Sequence, residues 1–276
     1  MQNEMLSYID RNSPIHRLTG AAKLICFVLW TFAVMLTYDT RILVFLFLVS
    51  GSIFVISKVR LKEIGFVLSF ILIFMMINNF AIYLFSPQEA VGIYGTKHVL
   101  AEIWGRYSIT SEQIFYQMNI TLKYLTVIPA ALLFIVTTHP SEFASSLNKL
   151  GVNYRIAYSV SIAMRYIPDI QREYKEIALS QQARGLDMSK KEKLAVRIKN
   201  AGSIIMPLIF SSLDRIEIIS NAMDLRGFGK KKTRTWYAER PFRKGDYIAV
   251  GLIAALLIIS LIVTFHDGSR FYNPFI

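Results

Sequence analysis

The chain has 276 residues, of which 54% are hydrophobic, 13% aromatic and only 18% charged, with 31 Lys and Arg against 19 Asp and Glu and a formal net charge of +12. Ordinary soluble domains carry about 25% charged residues, so this balance excludes a soluble globule and a disordered chain. The single cysteine, Cys26, excludes a disulfide scaffold and suits lipid-facing or core packing in its apolar run.

In chain order, Leu24 to Tyr38 and Ile42 to Ser57 are two uncharged runs separated by Asp39 and Arg41. One helix through both would bury two charges near the bilayer centre. The pattern therefore predicts two spans joined by a tight turn at 38–41, each slightly short, with Lys23 and Lys58 snorkelling at the ends. A third span is expected over 64–85, stopping before Pro87, and a fourth over 121–138, where Pro129 is tolerated as a kink. Asn78 and Asn79 are expected to hydrogen-bond between helices. A fifth span is expected over 247–265.

Residues 1–23, the 58–63 loop and 139–246 together hold 26 of the 31 basic residues. Spans at these positions place all three on one face, which the positive-inside rule makes cytoplasmic. The N-terminus is then cytoplasmic, and the 86–120 connection and the C-terminus lie outside. The fold class read from the sequence is all-α: a polytopic membrane protein with about five transmembrane helices and long amphipathic cytoplasmic helices. It divides into a membrane part at 1–138, a cytoplasmic module at 139–245 and a last span with its tail at 246–276.

The 139–246 region is too polar for ordinary spans. Pro140, Ser141 and Glu142 open one helix that Gly151 ends. A second is expected over about 153–184 with a break near Pro168, and a third over about 190–226. Ile198, Ile205, Ile209, Leu213, Ile216 and Ile219 recur at spacings of 3, 4 and 7, with Lys199, Ser203, Asp214 and Glu217 opposite them. That pattern describes helices lying at the membrane face or packed under the spans.

The second and third of these helices end alike, in Gln181-Gln182-Ala183-Arg184-Gly185 and in Ala222-Met223-Asp224-Leu225-Arg226-Gly227. Glycine after an arginine is an ordinary helix ending. Its repetition 42 residues apart in one module points further, because a guanidinium fixed at a helix end is a directional multi-donor plug for a partner's pocket.

Gly227 to Thr233 is rich in Gly and Lys but lacks the phosphate-loop spacing, and no strand is expected before it. His16, His98, His139 and His266 are scattered, and no nucleophile elbow is present. The residues thus point away from an enzyme. The basic cluster Lys230 to Arg234 reads as a cytoplasmic charged face and not as a nucleic-acid site. Two other functional classes fit the residues taken alone: a membrane scaffold with a lipid- or protein-binding module, and a stand-alone carrier.

Four segments carry a family resemblance. They are Ser13-Pro14-Ile15-His16-Arg17-Leu18 with Lys23; Thr137 to Phe143 followed by Leu147, Leu150-Gly151-Val152 and Tyr154-Arg155; Arg165-Tyr166-Ile167-Pro168; and the paired Ala183-Arg184-Gly185 and Leu225-Arg226-Gly227 endings. In these the chain resembles the transmembrane coupling component of energy-coupling-factor transporters, in the same broad family as the cobalt-transport permease subunit. Leu225 stands where that family usually has Ala.

The resemblance implies a subunit of the bacterial or archaeal cell membrane. It implies two ATP-binding-cassette ATPases, identical or paired, as partners, and a small membrane protein that captures a vitamin, nickel or cobalt. It also implies no cofactor on this chain, since ATP is used by the ATPases. Ala183, Arg184, Gly185, Leu225, Arg226 and Gly227 would form the coupling site. Pro140, Glu142, Arg165, Pro168 and Asp224 would support its helices, and Pro168 and Pro207 would let them hinge.

Overall fold

The computed structural model describes residues 11–104, 107–186, 194–231, 235–236, 240–266 and 269–275. Within them the regular elements are helices and one antiparallel hairpin, β1 (Val99–Trp104) with β2 (Tyr107–Thr110). It forms two compact units, residues 1–139 with 240–276, and residues 140–239.

The first unit contains α1 (Pro14–Arg17), α2 (Gly20–Leu36), α3 (Thr40–Ile56), α4 (Leu61–Phe85), α5 (Glu89–Tyr94), α6 (Ser111–Thr137) and α10 (Lys244–His266). The apolar 22 residues of α4 and the whole of α6 and α10 are long enough to cross a bilayer. α2 and α3 have 17 residues each, about 25 Å of rise against roughly 30 Å of hydrocarbon. The protein is an all-α polytopic membrane protein.

The turn between α2 and α3 forms as the charges demand. Asp39 caps α3, its carboxylate accepting from the Arg41 backbone N–H at 2.9 Å and pairing with the Arg41 guanidinium at 2.7 Å. Cross-links then set the direction of each helix. α10 runs parallel to α2, because the Thr19 N–H donates to Asp246 at one end (2.8 Å) and the Thr37 and Thr264 hydroxyls meet at the other (2.6 Å). α6 runs antiparallel to α2, with Lys23 Nζ on the Thr137 carbonyl (2.6 Å) and Lys123 Nζ on the Met35 carbonyl (3.0 Å). The end carrying Thr19, Thr137 and Asp246 is called proximal, and the opposite end distal.

Lys23 does not snorkel. It is buried, because the last carbonyls of α6 lack intrahelical donors and its ammonium group supplies one. Trp30, Ala33, Val34, Leu43 and Leu46 form the core that α6 and α10 cover. Val59, Ile64, Leu132, Leu133 and Val136 form a second cluster where α3 ends and α4 begins. α4 is joined to α6 by polar side chains, as expected for Asn78 and Asn79: Asn79 Nδ2 donates to Thr121 Oγ1 at 3.1 Å, and Tyr124 donates to Asn78 at 3.5 Å. Beyond these links and the Ile64, Val67 and Leu68 contacts with the second cluster, α4 turns an aromatic face outward, with Phe66, Phe70, Phe74 and Phe80 exposed.

The helix of the fourth span, α6, starts at Ser111, ten residues before the expected span of 121–138. Polar residues 111–120 remain helical because they project beyond the distal end of α2 into a collar made by α5, the hairpin and the tail. There the buried Glu112 accepts from the Thr96 hydroxyl and the His98 backbone N–H, both at 3.0 Å, and pairs with His98 Nδ1 at 2.6 Å. The tail closes the collar, with the Tyr38 N–H donating to the Arg270 carbonyl and Asn273 to the Tyr94 carbonyl, both at 3.0 Å. Lys123 sits at this level, 3.1 Å from the centroid of the Tyr38 ring.

Candidate coupling interface

The second unit is built from α7 (Pro140–Lys149), α8 (Tyr154–Ala183) and α9 (Leu194–Leu225). Pro140 supplies the fixed φ that starts α7, and Glu142 lies in its first turn, where negative charge meets the helix dipole. Asn153 caps α8 by accepting from the Arg155 N–H at 3.0 Å. Both α8 and α9 are continuous helices through Pro168 and Pro207. The expected break near Pro168 is therefore not found; one missing N–H in a 30-residue helix leaves the neighbouring turns bonded. Residues 187–193, which include the expected first turn of α9, and 232–234 of the basic cluster lie outside the described residues.

α8 and α9 pack antiparallel, as the order of their contacts shows. Gln181 donates to the Ser203 carbonyl at 3.3 Å, Glu173 accepts from Ser211 and pairs with Arg215 at 2.7 Å, and Arg215 lies 5.7 Å from the Tyr166 ring centroid. The face of α9 turned to α8 thus carries Ile204, Ser211 and Arg215. It is not the Ile198–Ile205–Ile209–Leu213–Ile216 stripe picked out by periodicity. That stripe stays uncovered within its unit, with Ile198 at 73% and Ile216 at 61% exposure, because the Glu173–Ser211–Arg215 network sets the helix rotation.

The two arginine-bearing ends are the same structure. After α8, the Gly185 N–H donates to the Gln182 carbonyl (2.9 Å) and the Leu186 N–H to the Gln181 carbonyl (3.1 Å). After α9, the Gly227 N–H donates to the Asp224 carbonyl and the Phe228 N–H to the Met223 carbonyl, both at 2.9 Å. Both are Schellman motifs with glycine in the left-handed region, φ 87° at Gly185 and 68° at Gly227. Arg184 and Arg226 occupy the identical capping position and are exposed, as are Ala183, Asp224 and Leu225, the last at 90%.

A third copy of the motif ends α7. There the Gly151 N–H donates to the Asn148 carbonyl and the Val152 N–H to the Leu147 carbonyl, with Gly151 at φ 94°. Its capping residue is Leu150. The motif therefore needs its glycine and not an arginine, so the guanidinium groups of Arg184 and Arg226 are not demanded by helix termination.

The antiparallel packing sends these two arginines to opposite ends of the helix pair. Among the other residues singled out from sequence, Arg165 and Pro168 are exposed on the middle of α8, whereas Glu142 is buried in α7. They do not gather round either arginine in a single pocket. Two groups were missed. One is the Glu173–Arg215 pair, whose partners are 42 residues apart and share no local pattern. The other is an aromatic anchor behind Arg226, where the Phe228 ring lies 4.8 Å from Tyr158 and 5.6 Å from Tyr154, and Trp236 donates to Asn148 at 3.1 Å. Arg155 adds a 2.7 Å bond to the Gly229 carbonyl, fixing the segment that follows the second arginine. The run Arg226-Gly227-Phe228-Gly229, with an aromatic between two glycines, was the available signal.

The family model described as CbiQ, cobalt transport protein, matches residues 11–237. The chain belongs to that family. More particularly, it is similar to the energy-coupling factor transporter transmembrane protein EcfT of Limosilactobacillus fermentum, 29% identical over 265 residues that cover 92% of this chain and 94% of the relative. The protein of the same name from Staphylococcus aureus is 24% identical over 96% of this chain and 99% of its own length. That from Exiguobacterium sibiricum is 28% identical over 95% and 97%.

Proposed function

We propose that this chain, as the transmembrane component of an energy-coupling-factor transporter, couples two ATP-binding-cassette ATPases to a small membrane protein that captures substrate. The observation that carries this reading is the pair of arginines on identical helix ends at opposite extremes of one antiparallel helix pair. Such a layout suits two ATPase subunits, identical or paired, each taking one guanidinium into an acidic or carbonyl-lined groove. The uncovered isoleucine stripe of α9 suits the apolar flank of the substrate-capturing subunit.

In this reading the chain binds no nucleotide and no cofactor of its own, and the ATPases hydrolyse ATP. The proximal end faces the cytoplasm and the C-terminus lies outside, as the basic residues suggest. The cargo is a water-soluble vitamin or a transition-metal ion. The test is affinity capture of the intact chain from native membranes. Two ATPase equivalents and one small membrane protein should accompany it, and capture of the intact chain without any ATPase would overturn the coupling role.

A further inference from the structure

The bundle formed by α2, α3, α6 and α10 is closely packed in its distal half, where Trp30, Val34, Leu43 and Leu46 meet α6 and α10. In the proximal half the same four helices surround an apolar cavity of about 270 Å³. Phe27, Trp30, Leu133, Phe134 and Leu252 wall it, and Phe27 and Phe134 stack at 5.5 Å. Among the described residues Lys23 is the single charged side chain on the wall, in the first turn of α2. Leu18 lines the rim, and the neighbouring Arg17 is exposed.

We propose that this cavity holds an acyl chain of an anionic phospholipid from the leaflet at the proximal end. A single water takes roughly 30 Å³ and needs two to four polar partners. On this wall the Ser50 hydroxyl already donates to the Thr126 carbonyl at 3.0 Å and Lys23 Nζ to the Thr137 carbonyl at 2.6 Å, so the Thr137 hydroxyl is left as a water partner, too few for water to fill the volume. A helix is about 10–12 Å across with its side chains and does not fit such a volume, whereas a flexible alkyl chain does. The surrounding bilayer supplies alkyl chains in excess. The cavity runs from Lys23 to Trp30, about 10 Å of helix rise from the bilayer boundary towards its middle, which is the path an acyl chain follows. The exposed Arg17, beside Leu18 at the rim, matches the charge of a phosphodiester head group, while Lys23 stays buried on the Thr137 carbonyl. The proposal does not depend on which face of the membrane the proximal end meets.

The test uses the full chain in vesicles containing a phosphatidylglycerol or a phosphatidylcholine with a photoactivatable diazirine in the acyl chain, followed by peptide mapping. Labelling of α4 around Phe70, which faces outward, reports correct insertion in every variant. The phosphatidylglycerol probe should label 23–30 and 249–253 about fivefold more than the phosphatidylcholine probe, the effect of one basic residue near the surface. Arg17→Gln should remove that preference. Ala249→Phe, which fills the cavity from α10, should abolish the labelling, while Ala255→Phe on the exposed side of the same helix should not. Labelling confined to α4, equal labelling by the two lipids, or indifference to Ala249→Phe would each overturn the proposal. So would cavity labelling of the isolated chain that vanishes in the captured transporter, because a partner side chain would then be the occupant.

Discussion

Glu173 and Arg215 meet at 2.7 Å where α8 and α9 cross, and each lies eleven residues before the arginine that caps its own helix. The crossing therefore has local two-fold character, with Arg184 and Arg226 each about 16 Å along its helix from the pair. Under the proposed coupling role, this equal spacing about a centre suits equal contacts with two ATPases.

The arginines are the first point to test. Arg184→Leu should leave α8 terminated, because Leu150 serves the same position after α7; the loss at the helix end is expected to be a few tenths to about 1 kcal/mol. Removing a buried anchor from an ATPase groove costs about 2–5 kcal/mol, or roughly 30- to several-thousand-fold in affinity. Each single variant should keep the complex assembled but weakly coupled, since the second anchor holds through effective concentration. The R184A/R226A double variant should lose the ATPases on co-purification and lose uptake, and Lys at either site should rescue poorly. Parental uptake by the double variant, with a Lys231→Ala control unchanged, would send the search for the coupling site elsewhere on α7–α9.

The glycines separate presentation from charge. A Cβ at Gly185 meets nothing within 4 Å, so Gly185→Ala acts only through its φ of 87°, at about 1–2 kcal/mol. Gly185→Asn should cost less. If the direction of Arg184 matters, Gly185→Ala should weaken ATPase binding although the guanidinium is retained, measured by co-purification beside the melting temperature of the chain.

The Glu173–Arg215 pair is partly exposed, with side-chain exposures of 18% and 34%. Solvent screening limits its contribution to stability to about 0.2–1 kcal/mol. Glu173→Gln should therefore lower the melting temperature only slightly. Its larger effect should be on uptake, through the angle between the two arginine-bearing ends. The charge-swapped double variant E173R/R215E should recover more uptake than either single, as a double-mutant cycle would measure.

In the collar, Glu112→Ala would leave the Thr96 hydroxyl and the His98 backbone N–H without their shared acceptor. Hydrogen bonds to a charged group are worth about 1.5–3 kcal/mol each. The variant should melt earlier and be nicked faster between 95 and 110 by a protease added to the distal side.

Orientation has its own measurement. In a chain with Cys26 replaced by Ala, a cysteine substituted for Ser269 should react with an impermeant thiol reagent in intact cells, and one substituted for Ser180 should react only after lysis. The opposite pattern would invert the topology.

Four of the five expected spans were legible as uncharged runs, because charge is so costly in hydrocarbon; 121–138 carries Lys123, whose ammonium group rests on the Met35 carbonyl. The turn at Asp39 and the Asn79–Thr121 link followed from the same cost. The start of α6 was not legible, because polarity at 111–120 marks exit from the bilayer and not the end of a helix. The fate of Lys23 escaped for a related reason: a lysine at a helix start can reach for water or for a neighbour's last carbonyls, and only the position of α6 decides. On α9 periodicity identified an apolar stripe that α8 leaves uncovered, whereas the face that packs on α8 carries Ser211 and Arg215 and shows no hydrophobic period. The glycine endings were read from local residues alone, because backbone conformation there is a local matter.

One backbone device closes α7, α8 and α9, and it is indifferent to the side chain at its capping position, which is leucine once and arginine twice. Under the proposed coupling role, recognition and architecture are thereby held by different atoms. In that role, substitution at a cap would re-address the protein to another ATPase while every helix stays where it is, which makes these positions evolutionary dials on a frame that need not change.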